Sequence, residues 1–178
     1  GADQIAYSYY SSFEAPVSII RPFNTYGPRQ SARAIIPTII TQLLQKKNVI
    51  KLGNLTPTRD FTYIDDIVEG VIRTLDTPAT CNLEWNSNQP DPATSNAPWR
   101  VYNIGNNQPI ELMDYIAALE KALGKEAEKE FLPLQAGDVQ ATYANVDDLV
   151  EQFHYKPSTS VEDGIIRFVS WYRDYFKV

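Results

Sequence analysis

Histidine and cysteine are almost missing: the 178 residues hold one of each, His154 and Cys81. A lone histidine argues against a histidine-based catalytic triad and against a histidine-rich metal site. A lone cysteine cannot close an internal disulfide, which suits a reducing compartment such as the cytoplasm. The eight glycines stand singly, so the chain has neither a Gly-x-Gly-x-x-Gly dinucleotide loop nor a Gly-Lys-Ser/Thr phosphate loop. No apolar run approaches the roughly 18 residues of a membrane-spanning helix. The opening GADQIAYSYY has neither the basic start nor the apolar core of a secretion signal. Basic charge is in deficit, with 16 Lys and Arg against 22 Asp and Glu, a net charge of −6. That balance argues against nucleic acid and anionic membranes as partners, while leaving room for a local basic pocket.

What is present suits one unit over residues 1–178 with a core of ordinary size. Ile5, Tyr9 and Phe13 at helical spacing predict that the chain opens in a helix, with nothing ahead of it to cap it, so the amino terminus reads as cut. PVSII predicts a buried strand ended by Pro22. The apolar stripe of AIIPTIITQLLQKK predicts a helix that tolerates Pro37 in its first turn. NVIKLG reads as a strand. FTYIDDIVEGVIRTLD reads as a brief strand passing into a helix capped by Asp65, with Ile67, Val68, Val71, Ile72 and Leu75 facing inward. Residues 77–100 carry four prolines and no period, which predicts a long loop with little to bury. RVYNIGN is a strand and PIELMDYIAALEKALG an amphipathic helix closed by Gly124. EFLPL is a further strand. A short helix capped by Asn145 follows, then a last helix capped by Ser160 or Thr159. Helices falling between short strands point to an α/β fold.

Candidate functional residues cluster in a few stretches. RPFNTYGPRQ (residues 21–30) puts turn chemistry directly after a strand, so Asn24, Thr25 and Arg29 belong to a loop at a strand's carboxyl end. In open α/β sheets ligands bind there. In TRDFTY, Arg59 and Asp60 form either a surface ion pair worth little or a guanidinium fork for a pyrophosphate beside an acid. Asp138, after a glycine, is either a turn residue or an acceptor for ribose hydroxyls. Asn103 either ties a loop or makes a polar contact at the cleft edge, with Gly105 making the turn. Tyr63 and Tyr102 read as core residues. Asp65 and Asp66 read as a helix cap and its dipole partner and not as an acid/base pair. His154 reads as a surface residue.

Taken in order, these stretches resemble the carboxyl-terminal half of extended short-chain dehydrogenase/reductases, the NAD-dependent nucleotide-sugar epimerases and dehydratases. They are GADQIAYSYY, PVSIIRPFNTYGPRQ, GNLTPTRDFTYIDDIVEG, YNIGNNQPIEL, GDVQATYANVDDL and SVEDGIIRFVSWYRDYF. The front, to about residue 58, is most similar to sugar-nucleotide 4,6-dehydratases, and the rest to UDP-glucuronate 4-epimerases. The resemblance implies the last part of a Rossmann-type parallel sheet with a small mixed α/β substrate-binding lobe. It implies a UDP-sugar as ligand and NAD as the parent enzyme's cofactor. It places Asn24 on the substrate phosphate or sugar, and Ser31, Arg33 and Ile35 along the nucleotide pocket. Arg59 falls on the diphosphate, Asp138 near the ribose, and Pro22 and Phe23 beside the nicotinamide. Many members carry an arginine three residues before that acid, where this chain has Gln135.

The family's proton acceptor is a tyrosine in Tyr-x-x-x-Lys, and none of the 11 tyrosines here has a lysine four residues on. In relatives that motif and the glycine loop lie upstream of the GADQ stretch. The resemblance therefore implies the half that grips substrate and lacks the base, with the amino-terminal half as its partner. A non-catalytic nucleotide-sugar-binding module, or an engineered hybrid fragment, is the rival expectation.

Overall fold

The computed structural model describes residues 1–44, 49–52, 58–126, 128–131 and 140–178. In chain order they begin with α1 (Ala2–Phe13), β1 (Val17–Pro22), β2 (Thr25–Tyr26), α2 (Ile35–Leu44), β3 (Val49–Leu52), β4 (Thr58–Arg59) and β5 (Thr62–Tyr63). Then come α3 (Ile64–Asp76), β6 (Trp99–Ile104), β7 (Ile110–Glu111), α4 (Leu112–Leu123), β8 (Glu128–Phe131), α5 (Asp147–Phe153) and α6 (Val161–Phe176). The strands pair in twos: β1–β6, β2–β5 and β3–β8 are parallel, and β4–β7 is antiparallel. The β1–β6 register sets Ile19 opposite Val101 and Arg21 opposite Asn103. Proline has no N–H to continue the ladder, and β1 ends at Pro22.

The larger core lies between α2, α4 and α6. Ile36, Ile39, Ile40, Ile116, Leu119, Ile165 and Phe168 are buried there, around the rings of Tyr26, Phe61 and Tyr115. A smaller core joins α3, β6 and α5 through Ile67, Tyr102, Ile104, Leu149 and Phe153. The expected caps form where a polar atom is free to reach the helix end. Ser160 Oγ accepts from Asp163 N at 3.1 Å, and Gly124 takes the left-handed conformation at the end of α4. The expected Asn145 cap of α5 does not form: Val146 takes the cap position, and Asn145, one residue ahead of it, accepts through Oδ1 from Asp147 N. Tyr63 and Tyr102 are core residues, as their flanking patterns predict, and His154 is exposed at the end of α5.

Two expectations fail for packing reasons. In α3 the buried line is Ile67, Gly70 and Thr74, whereas Val68, Val71, Ile72 and Leu75 face outward at 38–77% exposure. Gly70 decides this, because a β-carbon there would stand 2.8 Å from Ile104 Cδ1, so the helix lies close against β6 along its glycine side. Asp65 does not cap α3: Tyr63 occupies the cap position, and Asp65 is exposed 3.9 Å from Arg167. Asp66 turns instead to the chain ahead of α6, accepting from Thr159 N at 3.0 Å and from the Tyr155 hydroxyl. A third expectation, the long loop between α3 and β6 with little to bury, holds: the stretch is mostly exposed and is folded into turns. Asn82 N donates to Ser95 O, Val101 N donates to Ala93 O, and Asp91 accepts from Ala93 N and Thr94 Oγ1. Among the described residues no helix is long and apolar enough to cross a membrane.

Candidate functional site

Four stretches far apart in sequence meet around Asp60. Its carboxylate is fully buried: Oδ1 accepts from Asn106 N at 3.0 Å, and Oδ2 accepts from Asn107 N at 3.2 Å and Ala144 N at 3.0 Å. Asp60 N donates to Thr142 Oγ1. Burying a carboxylate costs several kcal/mol in lost hydration, and charge-assisted hydrogen bonds of roughly 1.5–3 kcal/mol each offset it. The surface ion pair considered for Arg59 and Asp60 is therefore not what forms, because the acid has turned inward onto backbone N–H groups. The glycine beside this acid is required by space and not by turn geometry. A β-carbon on Gly105 would collide with that of Ala144 and lie 2.8 Å from Asp60 Oδ2. The turn itself is made by Asn107, at φ 55°.

Asn24 closes the same junction from the other side. Its Nδ2 donates to Asp60 O at 3.0 Å and to Thr142 Oγ1 at 2.8 Å, and its φ of 28° bends the chain off β1. Both amide hydrogens are engaged within the chain, which leaves Oδ1 as the side-chain atom for a ligand. Arg59 is half-buried, and its Nη1 donates to Thr58 O at 3.0 Å. Its backbone lies between two segments: Arg59 pairs with Ile110 of β7, while Thr58 N donates to Gln140 O and Thr142 N to Thr58 O. Asn103, at the end of β6, donates through Nδ2 to Asn145 O at 3.0 Å, so it ties the loop that follows Ala144.

Ser31, Arg33 and Ile35 lie exposed on the turn entering α2, where Arg33 N donates to Ser31 Oγ. Pro22 is exposed and Phe23 half-buried at the carboxyl end of β1, with Phe23 N donating to Ile104 O. Both side chains are apolar, the chemistry that one face of a nicotinamide ring would need. The pyrophosphate of a dinucleotide finds no matching glycine loop in the sequence. Asp138, Gln135 and residues 53–57 ahead of Arg59 lie outside the described residues.

Five tyrosines packed into the two cores and their margins would be poor bases. Burial pushes the Tyr26 hydroxyl far above the ordinary range, with Tyr63 and Asp66 adding to the shift. Burial also raises Tyr63, Tyr102, Tyr115 and Tyr155. A general base needs the reverse. A cavity of about 530 Å³ opens between α4 and α6, lined by Asn106, Gln108, Asp114, Lys121, Ser160 and Glu162. Sequence reasoning missed Asp60 and Thr142 as parts of the junction. The available signal was an acid set directly before the aromatic and β-branched run FTY, where a surface acid is out of place.

A family model described as GDP-mannose 4,6 dehydratase matches residues 1–168. Protein CapI of Staphylococcus aureus is 43% identical over 175 residues, which cover 97% of this chain and 52% of that protein. UDP-glucuronate 4-epimerase 2 of Arabidopsis thaliana is 33% identical over 179 residues, covering 98% of this chain and 40% of that one. The UDP-glucuronic acid 4-epimerase of Bacillus cereus, solved with UDP-glucuronic acid and NAD, superposes with a TM-score of 0.80 at 31% identity. That match covers 97% of this chain and 50% of the other. The chain spans about half the length of the relatives it matches.

Proposed function

The chain belongs to the GDP-mannose 4,6 dehydratase family, and from that membership we propose that it is the substrate-gripping half of a nucleotide-sugar 4-epimerase or 4,6-dehydratase, with a UDP-sugar as ligand. Its mixed α/β fold is that of the carboxyl-terminal half of Rossmann-type epimerases and dehydratases. A UDP-sugar is favoured because relatives with UDP-glucuronate 4-epimerase activity in their names match almost the whole chain. The observation that carries the reading is the Asn24 amide joining Asp60 and Thr142. It draws the loop after β1, the strand of Arg59 and the 140–144 segment to one place.

In this reading Arg59 forks onto the diphosphate and Asn24 presents Oδ1 to a sugar or ribose hydroxyl. Ser31, Arg33 and Ile35 border the nucleoside, Asp138 accepts from the ribose, and Asn103 holds the rim in place through Asn145. Bound NAD would supply the hydride acceptor and donor. This chain's share of that site is the wall made by Pro22 and Phe23. In this reading the proton acceptor comes from elsewhere, since the sequence has no Tyr-x-x-x-Lys and burial disfavours loss of the proton from Tyr26 and Tyr115.

The partner in this reading is an α/β half that continues the sheet along the free edge of β1. Parallel strands are normally covered on both faces and belong to larger sheets. Here α1 buries none of its residues, and the outer face of α3 exposes Val68, Ile72 and Leu75. Calorimetric titration with UDP, dTDP, GDP and uridine tests the reading. UDP is expected to bind more tightly than the other three, and absence of binding by every nucleoside diphosphate overturns it.

A further inference from the structure

We propose that Asp60 is a positioning residue for the diphosphate grip, acting through Arg59. The inference rests on the reading of this chain as a UDP-sugar binder. Four observations carry it. First, the Asp60 carboxylate is fully buried and bound by three backbone N–H groups, from Asn106 and Asn107 on one segment and Ala144 on another. Second, the backbone of the same residue is held at both polar atoms: Asp60 N donates to Thr142 Oγ1, and Asp60 O accepts from Asn24 Nδ2. Third, the carboxylate is packed against Gly105, where an added β-carbon would stand 2.8 Å from Asp60 Oδ2. Fourth, Arg59 is the next residue, so its Cα stands about 3.8 Å from that of Asp60 across a trans peptide.

The Asp60 carboxylate is turned inward and locked, whereas the neighbouring Arg59 side chain is only half-buried and its Nη1 donates to Thr58 O of the same strand. Its backbone is clamped between β7 and the 140–142 segment. Fork-like recognition of phosphate depends on angle as well as distance, so a few tenths of an ångström of play at Asp60 would degrade it. A neutral amide of the same shape would present N–H to at least one of the three N–H groups it must receive, and the lock would loosen.

The test is a cycle of Asp60→Asn, Arg59→Ala and the double variant, each titrated calorimetrically with UDP and separately with uridine, which lacks phosphates. Asp60→Asn is expected to weaken UDP about tenfold while leaving uridine within about twofold. The double variant is expected to bind UDP no more weakly than Arg59→Ala alone, since a residue acting through the guanidinium has nothing left to position. Equal losses for UDP and uridine, additive losses in the double variant, or unchanged UDP binding in Asp60→Asn would each overturn the inference. If Asp60→Asn does not fold by circular dichroism, Thr142→Val, which removes the hydroxyl that Asp60 N reaches, takes its place and is read with UDP by its coupling to Arg59→Ala alone, because Asn24 Nδ2 loses the same hydroxyl; additive losses in that double variant overturn the inference. Failure of the unsubstituted chain to bind UDP is a different result: it overturns the proposed function and the inference with it.

Discussion

The hydroxyl of Tyr26 occupies the place where Gly164 would carry a β-carbon. Tyr26 is 1% exposed, and its hydroxyl donates to Val161 O at 3.4 Å, so the first turn of α6 is seated directly on the tyrosine ring. Gly164→Ala should cost about 1–3 kcal/mol, the usual range for overpacking a filled core. Adding Tyr26→Phe should restore only part of that, because the ring carbon Cζ would remain 2.7 Å from the new methyl group. Urea denaturation of the single and double variants measures both effects. An Ala variant as stable as the parent would show that α6 can shift.

Tyr115 is fully buried in the larger core, and its hydroxyl has no hydrogen-bond partner among the described residues. A buried polar group without a partner costs roughly 1–3 kcal/mol, whereas an apolar group of the same shape is neutral or stabilising. Tyr115→Phe should therefore leave stability unchanged or raise it. The pH dependence has a definite sign. Burial, then Tyr26, holds the folded-state pKa of Tyr115 well above the ordinary value. Its contribution is whole below the unfolded tyrosine pKa of about 10 and is lost as pH rises toward the folded value. The advantage of the Phe variant should thus widen above about pH 10, read from urea midpoints at neutral and alkaline pH. A constant difference across that range would contradict the assignment.

Arg59→Ala should weaken UDP by about 10- to 150-fold, the equivalent of one charge-assisted contact of roughly 1.5–3 kcal/mol. Calorimetry on the folded variant measures it. A change below about twofold would make Arg59 a structural residue of the β4–β7 pair.

The chain by itself, mixed with NAD and UDP-glucuronate, should form no 4-epimer detectable by chromatography above a protein-free control. Adding the amino-terminal half of the Bacillus cereus epimerase should produce a complex on size-exclusion chromatography. Leu75→Asp, on the exposed face of α3, should weaken that complex without lowering the stability of the chain. Turnover by the chain alone, or assembly indifferent to Leu75, would contradict the proposed division of labour.

Much of the fold was legible from local pattern. The stripe through Ile36, Ile39, Ile40 and Leu43 located α2, Gly124 located the end of α4, and Ser160 the start of α6. Each depends on interactions within a turn or two of helix. The site was legible in part. RPFNTYGPRQ marked the loop after β1, and Asn24 does sit where that loop meets two other segments. Asp60 was legible only through the FTY run that follows it, because an Arg-Asp pair by itself looks the same in sequence whether the acid faces water or a nest of N–H groups.

Helix and strand identity, the caps at Gly124 and Ser160, and the lack of Tyr-x-x-x-Lys spacing and of a glycine loop were determined by the sequence itself, because each is set by residue type and short spacing. Which face of α3 is covered was decided only by the tertiary structure. Its apolar residues spread over more than one side, and the close approach of Gly70 to Ile104 selected among them. The same holds for the fate of Asp60. Its partners, Asn106, Asn107 and Ala144, lie 46 to 84 residues away along the chain, and nothing short of the folded chain brings their N–H groups to one carboxylate.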